Sequence, residues 1–263
     1  MLSVCVYQYV ISMCYDGPLS FNSTGDVVFF TRTNLKKGKP KTGKDGKVKL
    51  KIYSAKLNAA NGKWENIEEL PFNDNDFDCM HPSVSADGTR LYFASNRPGG
   101  KGGMDIYVSF LQNGKWGDAV NLGPTINTPK DELTPFIHSD NTLFFATNGR
   151  KGTGGTDIFW TKKTPEGWAE PAAMPEPINT PSDDFGIIVS ADKKSGFFSS
   201  NRASGLGEDD IFSFIDNNPE SRYVIVMPSS DDTKNMVTTG QSQPCSICLT
   251  RDNAAHQDVN FHR

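Results

Sequence analysis

The sequence predicts an all-β protein, a β-propeller with four recognisable four-stranded blades. Three observations predict it. The stretch 81–185 says nearly the same thing twice, from Ser83 through Asp87-Gly88, Leu91-Tyr92-Phe93-Ala94-Ser95-Asn96, a glycine cluster and Asp105-Ile106-Tyr107, then again through Asp140, Leu143-Phe144-Phe145-Ala146-Thr147-Asn148, glycines and Asp157-Ile158-Phe159. Three unrelated anchors keep one spacing: Asp105 to Asp157, Trp116 to Trp168 and Ile126 to Ile178 are each 52 residues apart. The segments between glycines are short and rich in aromatic and β-branched residues, which favours strands, and no long stretch carries a helical period. Four short strands repeated at about this length are a propeller blade.

The elements follow in order. Residues 1–15 are apolar and uncharged, too short to span a bilayer as a helix. They lack the basic start and small-residue end of a secretory signal and read as a strand or the remnant of a preceding blade. The propeller is expected over 16–227, with blades at about 16–71, 81–123, 134–176 and 184–227, either as the whole ring or as part of a five- or six-bladed one. Within blade two, strands are expected at 82–86, 90–96, 105–110 and 115–121. Asp87-Gly88 marks a tight turn, where glycine supplies the positive φ. The first blade carries an insertion with eight lysines between 36 and 51, punctuated by Gly38, Pro40, Gly43 and Gly46, which reads as a solvated hairpin. Asn73–Asp78 places Asp74, Asp76 and Asp78 like the first ligands of a calcium loop. Cys79 and Ser85 replace the expected glycine and glutamate, so an acidic connector is the better reading. Residues 228–263 are expected to be a loose polar tail. Its Cys245, Cys248, His256 and His262 are spaced too tightly for a zinc finger.

Repetition governs the reading of the candidate residues, because a catalytic group is needed once and a structural one in every blade. Asp87, Asp140 and Asp192 at hairpin turns, Asp105, Asp157 and Asp210 after glycine-rich turns, and Trp116 and Trp168 are therefore structural anchors. The aspartates are placed to accept turn amides and the tryptophans to pack between blades. Asn96, Arg97, Asn148, Arg150, Asn201 and Arg202 recur after each second strand and form the candidate binding face, or else bridge neighbouring blades. His81 and His138 stand at nearly equivalent positions. No nucleophile elbow, phosphate loop or zincin motif is present. Paired carboxylates such as Asp131-Glu132 and Asp183-Asp184 point to opposite faces of a strand and make a poor glycosidase pair. The chain is accordingly expected not to be an enzyme and to need no cofactor or metal. A net charge of −4 offers no bulk attraction for nucleic acid.

Ser85-Ala86-Asp87-Gly88-Thr89-Arg90-Leu91-Tyr92-Phe93-Ala94-Ser95-Asn96-Arg97 and Gly102-Gly103-Met104-Asp105-Ile106-Tyr107 resemble WD40-like repeats of the TolB type. With Asn121–Thr128, Asp131-Glu132-Leu133 and Asp183–Gly186, the pattern is similar to the propeller region of OmpA-family envelope proteins of Bacteroidetes, relatives of type IX secretion and gliding components. The resemblance covers about 16–214. It implies a protein-interaction scaffold in the periplasm, associated with the outer membrane. The implied partners are envelope proteins, and peptidoglycan only through a domain this chain does not carry; membrane insertion and nucleic acid are not implied. The alternatives are a glycan-binding or glycan-processing propeller, or a fragment with no function of its own.

Overall fold

The computed structural model describes residues 16–36, 38–216 and 223–226. The expected leading strand at 1–15 and the tail at 228–263, with its cysteines and histidines, lie outside the described residues. Every described element is a strand. No helix among the described residues is long and apolar enough to cross a membrane.

Blade one is built from β1 (Asp16–Phe21), β2 (Val27–Thr33), β5 (Leu50–Asn58) and β6 (Lys63–Glu69), paired in that order. The lysine-rich insertion contributes a small hairpin, β3 (Leu35–Lys36) and β4 (Lys39–Pro40). Blade two holds β7 (Cys79–Val84), β8 (Arg90–Ser95) and β9 (Asp105–Gln112). Its outer strand is split into β10 (Lys115–Trp116) and β11 (Val120–Asn121), both paired to β9. Blade three repeats this with β12 (Glu132–Ile137), β13 (Thr142–Thr147), β14 (Asp157–Thr164), β15 (Gly167–Trp168) and β16 (Ala172–Ala173). Blade four is β17 (Asp184–Val189), β18 (Ser195–Ser200), β19 (Asp210–Asp216) and β20 (Tyr223–Val226). All pairings within the blades are antiparallel, as hairpin-linked strands must be. Each blade takes its strands from one unbroken run of sequence.

The first strand of every blade carries a bulge, between Asp16 and Leu19, Met80 and Ser83, Leu133 and Phe136, and Phe185 and Ile188. His81, Thr134 and Gly186 sit in these bulges at positive φ (58°, 44° and 65°). Such an insertion bends the strand and re-aims its side chains.

Side chains alternate between the two faces of each blade, so the second and third sheets can meet a neighbour on both sides. Phe29 and Ile52 of blade one pack with Val84, Leu91, Phe93 and Tyr107 of blade two. Tyr92, Ile106 and Val108 pack with Ile137, Leu143, Phe145 and Phe159 of blade three. Phe144 and Ile158 pack with Ile187, Phe198, Phe212 and Phe214 of blade four. Fully burying one such side chain is worth about 1.5–3 kcal/mol, so these three seams are the main core, joined by a cluster of Val28, Phe30, Ala55 and Trp64 within blade one. The inner strands touch in sequence, β1 on β7, β7 on β12 and β12 on β17, and no comparable packing joins β17 to β1.

Candidate functional site

The recurring aspartates at the glycine-rich turns close those turns. Asp105 accepts the amides of Lys101 (2.5 Å) and Gly102 (3.1 Å), Asp157 those of Thr153 and Gly154, and Asp210 those of Leu206 and Gly207. The hairpin aspartates also act locally. Asp87 accepts from Ser85 Oγ at 2.5 Å and from Thr89, which holds its carboxyl well below the usual carboxylate range. Asp192 accepts from Ser190 Oγ and the Lys194 amide. Trp116 meets Phe29 edge-on at 5.5 Å and Trp168 meets Tyr92 at 6.2 Å, each across a blade seam. Trp64 packs on Phe21 of its own blade.

The six residues of the candidate binding face are engaged within the fold. Asn96 accepts the Asp78 amide at 2.7 Å and donates to its carboxylate, and Asn201 does the same with Asp183. Asn148 accepts the Asp131 amide. Arg202 donates to Pro177 O, Ile178 O and Ser200 Oγ, and to Asp184 at 2.6 Å, while lying over Phe198 and Phe212. Arg97 donates to Phe72 O and reaches Cys79 Sγ at 3.4 Å.

Blade three departs from this rule. The strand register aligns Cys79, Glu132 and Asp184, all buried. Arg97 and Arg202 cover the first and third of these. In blade three Gly149 intervenes after Asn148, and Arg150 is displaced by one position. It reaches instead to Thr125 O and, at 2.7 Å, to Glu170, and its Nε is buried with no partner among the described residues. Glu132 is left with three donors, Thr128 N, Thr128 Oγ1 and Thr147 Oγ1, and no arginine. Burial pushes its carboxyl above the usual range. Arg150, Lys101 and Lys151 border a shallow cleft of about 450 Å³ between blades two and three, with Thr128 and Glu170 also in its wall.

The expected equivalence of the two histidines does not hold. His81 aligns with Thr134, in the bulge, whereas His138 aligns with Ser85 and Ser190 at the hairpin turn. His138 contacts Asp140 at 2.7 Å, as Ser85 and Ser190 contact Asp87 and Asp192. The two histidines are 57 residues apart, five more than the repeat spacing of 52. Burial pulls the His81 pKa down to about 4.

The connector 73–78 is used as structure. Asn73, Asp76 and Asp78 accept the amides of Ile52, Lys44 and Leu50. No group of three or more His, Cys, Asp or Glu placed to hold a metal occurs among the described residues. The lysine hairpin is not wholly solvated. Lys49 and Lys51 are buried and pair with Asp45 (2.6 Å) and Glu69 (2.5 Å), and Lys44, Lys39, Lys41 and Lys47 are exposed.

The outer face of blade four is the largest departure from burial. Ile188, Phe197 and Ile211 are exposed there, and no charged residue shares this face of β17–β19.

No family model and no curated protein matches the chain. Solved structures do match its shape. TolB from Acinetobacter baumannii aligns at a TM-score of 0.53 and 13% identity, over 84% of this chain and 45% of that one. The chain thus spans less than half of that TolB chain. The fold is a TolB-like β-propeller. A putative TolB from Agrobacterium tumefaciens aligns at 0.46 and 13% identity, over 83% of this chain and 64% of that one. An α-L-arabinofuranosidase from Lactobacillus brevis aligns at 0.48 and 13% identity, over 77% and 72%. A tricorn protease is also among the similar structures. The expectation that the chain is not an enzyme is corrected by these matches, because propellers of related shape occur in enzymes and a fold does not fix an activity.

Proposed function

We propose that the chain is a protein-interaction module of a bacterial envelope protein, on the periplasmic side of the outer membrane. The observation that carries this is the exposed, charge-free apolar face of blade four, on a domain whose repeated polar residues are engaged within the fold. A contiguous apolar surface of this kind marks an interaction site. The repeat motifs, similar to those of OmpA-family proteins related to type IX secretion and gliding, support the envelope location. Peptidoglycan contact is assigned to a separate domain of such a protein.

The test is binding of the purified chain to outer-membrane fractions of a Bacteroidetes bacterium. Saturable binding is expected, lost when the fraction is treated with protease and weakened severalfold by Ile211→Lys. No binding, or binding indifferent to both treatments, refutes the proposal.

A further inference from the structure

The register of the blades places one isoleucine at the same point of each third strand. Ile52, Ile106, Ile158 and Ile211 pair with Thr31, Ala94, Ala146 and Ser199. The first three are 0% exposed and Ile211 is 65% exposed. Phe29, Tyr92, Phe144 and Phe197 are likewise equivalent, and only Phe197 is exposed. In blades one to three, the next blade provides the cover.

Each seam also contains a hydrogen bond from the bulged inner strand of the following blade. The His81 amide donates to Thr31 Oγ1 at 3.0 Å, the Thr134 amide to His81 Nδ1 at 3.3 Å, and the Gly186 amide to Thr134 Oγ1 at 3.1 Å. Blades two and three offer the acceptor from the bulge itself and have alanine at the paired site of the second strand. Blade one has Pro18 in the bulge and offers Thr31 from the second strand instead. Blade four has Gly186 in the bulge, which carries no acceptor, and Ser199 at the site equivalent to Thr31. A Cβ on Gly186 would stand 3.5 Å from Ser199 Oγ, so this hydroxyl lies beside the gap that the missing side chain leaves. Among the described residues nothing is hydrogen-bonded to Ser199 Oγ.

We infer that the outer face of blade four is the docking surface for another blade of the same repeat. Its partner is an antiparallel sheet with an apolar inner face like Ile137, Leu143, Phe145 and Phe159, whose inner strand donates a bulge amide to Ser199. The three seams already in the molecule fix that chemistry, since this face continues their series in both its apolar row and its acceptor. Blade one does not meet the description, because Pro18, at the bulge position, has no amide hydrogen to donate. The inference rests on the proposed function only in treating this face as an interaction surface.

The experiment supplies the partner directly. A copy of Leu122–Ala173, the blade three sequence with its connector, is appended after Val226 of the chain. Cys5 and Cys14 are replaced by serine, and Ser213→Cys reports on the face. Maleimide labelling of that cysteine is expected to slow about tenfold or more when the extra blade docks, with the amides of the appended strands protected from exchange. Adding Ser199→Ala returns part of the labelling rate. Fast labelling beside an unprotected appended segment overturns the inference. So does slow labelling in the chain without the extra blade if sedimentation shows a dimer, because the face then belongs to a second copy. Docking without envelope binding would leave this inference standing and remove the proposed function; envelope binding without docking would do the reverse.

Discussion

Replacing Arg202 with methionine tests the account of the buried ion pair in blade four. Asp184 is fully buried, and among the described residues Arg202 Nη2 at 2.6 Å is the one charge compensating it, beside Thr180 N and Thr180 Oγ1. Methionine keeps the apolar stem over Phe198 and Phe212 but strands the carboxylate. Breaking a buried pair from one side costs about 3–5 kcal/mol, against a total domain stability of about 5–15 kcal/mol. Arg97→Met is the internal control. It faces the Cys79 thiol, a neutral group whose pKa burial raises, so no charge is stranded and the cost should be about 1–2 kcal/mol. Adding Asp184→Asn to Arg202→Met should restore at least about 2 kcal/mol, since the leftover group is then neutral. Urea unfolding followed by tryptophan fluorescence measures all three. If the two arginine variants differ by less than about 1 kcal/mol, the buried ion pair is not what holds this blade together, and the argument fails.

Four further outcomes follow from the same geometry. Glu132→Gln should stabilise the protein at pH 7. A carboxyl raised by burial contributes stability that is complete below 4.5 and lost as pH rises through its folded value, so the gain should vanish in urea titrations at low pH. His81 is depressed to about 4, so its contribution is complete above 6.5 and lost as pH falls toward 4; a slope worth up to about 3 kcal/mol should disappear in His81→Gln, with the imidazole followed by NMR. Ile158→Ala should cost about 2–5 kcal/mol and Ile211→Ala under about 0.5 kcal/mol in the same urea assay, although the two residues are repeat equivalents. Gly154→Ala would place a Cβ 2.2 Å from Ser182 O and 2.4 Å from Thr180 O, and should lower the urea midpoint by an amount equivalent to about 1–3 kcal/mol.

The blade pattern was legible because its cause is local. Alternating aromatic residues, turn glycines and a fixed spacing are visible along the chain without any tertiary knowledge. The seams were not legible to the same degree. His81 and His138 lie 57 residues apart, five more than the 52-residue spacing, and strand pairing shows that Thr134, 53 residues on, is the true counterpart of His81. Glu132 was passed over because it was read with its neighbour Asp131, as a pair, when its meaning lies in Gly149 displacing Arg150 seventeen and eighteen positions further on. The signal was present in the one extra residue, Gly149, between Thr147 and Arg150, where the other blades have Ser95-Asn96-Arg97 and Ser200-Asn201-Arg202. The partial burial of the lysine hairpin was likewise hidden, because a run of cations looks uniformly solvated until Glu69 and Asp45 are brought beside it.

Each blade is one unbroken run of chain, and the described residues place no clasp between the first blade and the last. Force applied along the chain at its two ends acts on a terminal blade whose loss leaves the next blade's hairpins intact. Extension should therefore proceed as a staircase rather than one rupture. Each step would free one repeat of 52 residues, a contour of about 180 Å. The order of the steps would rank the seams by mechanical strength, with the Arg202 bonds to Pro177 O and Ile178 O resisting the release of blade four.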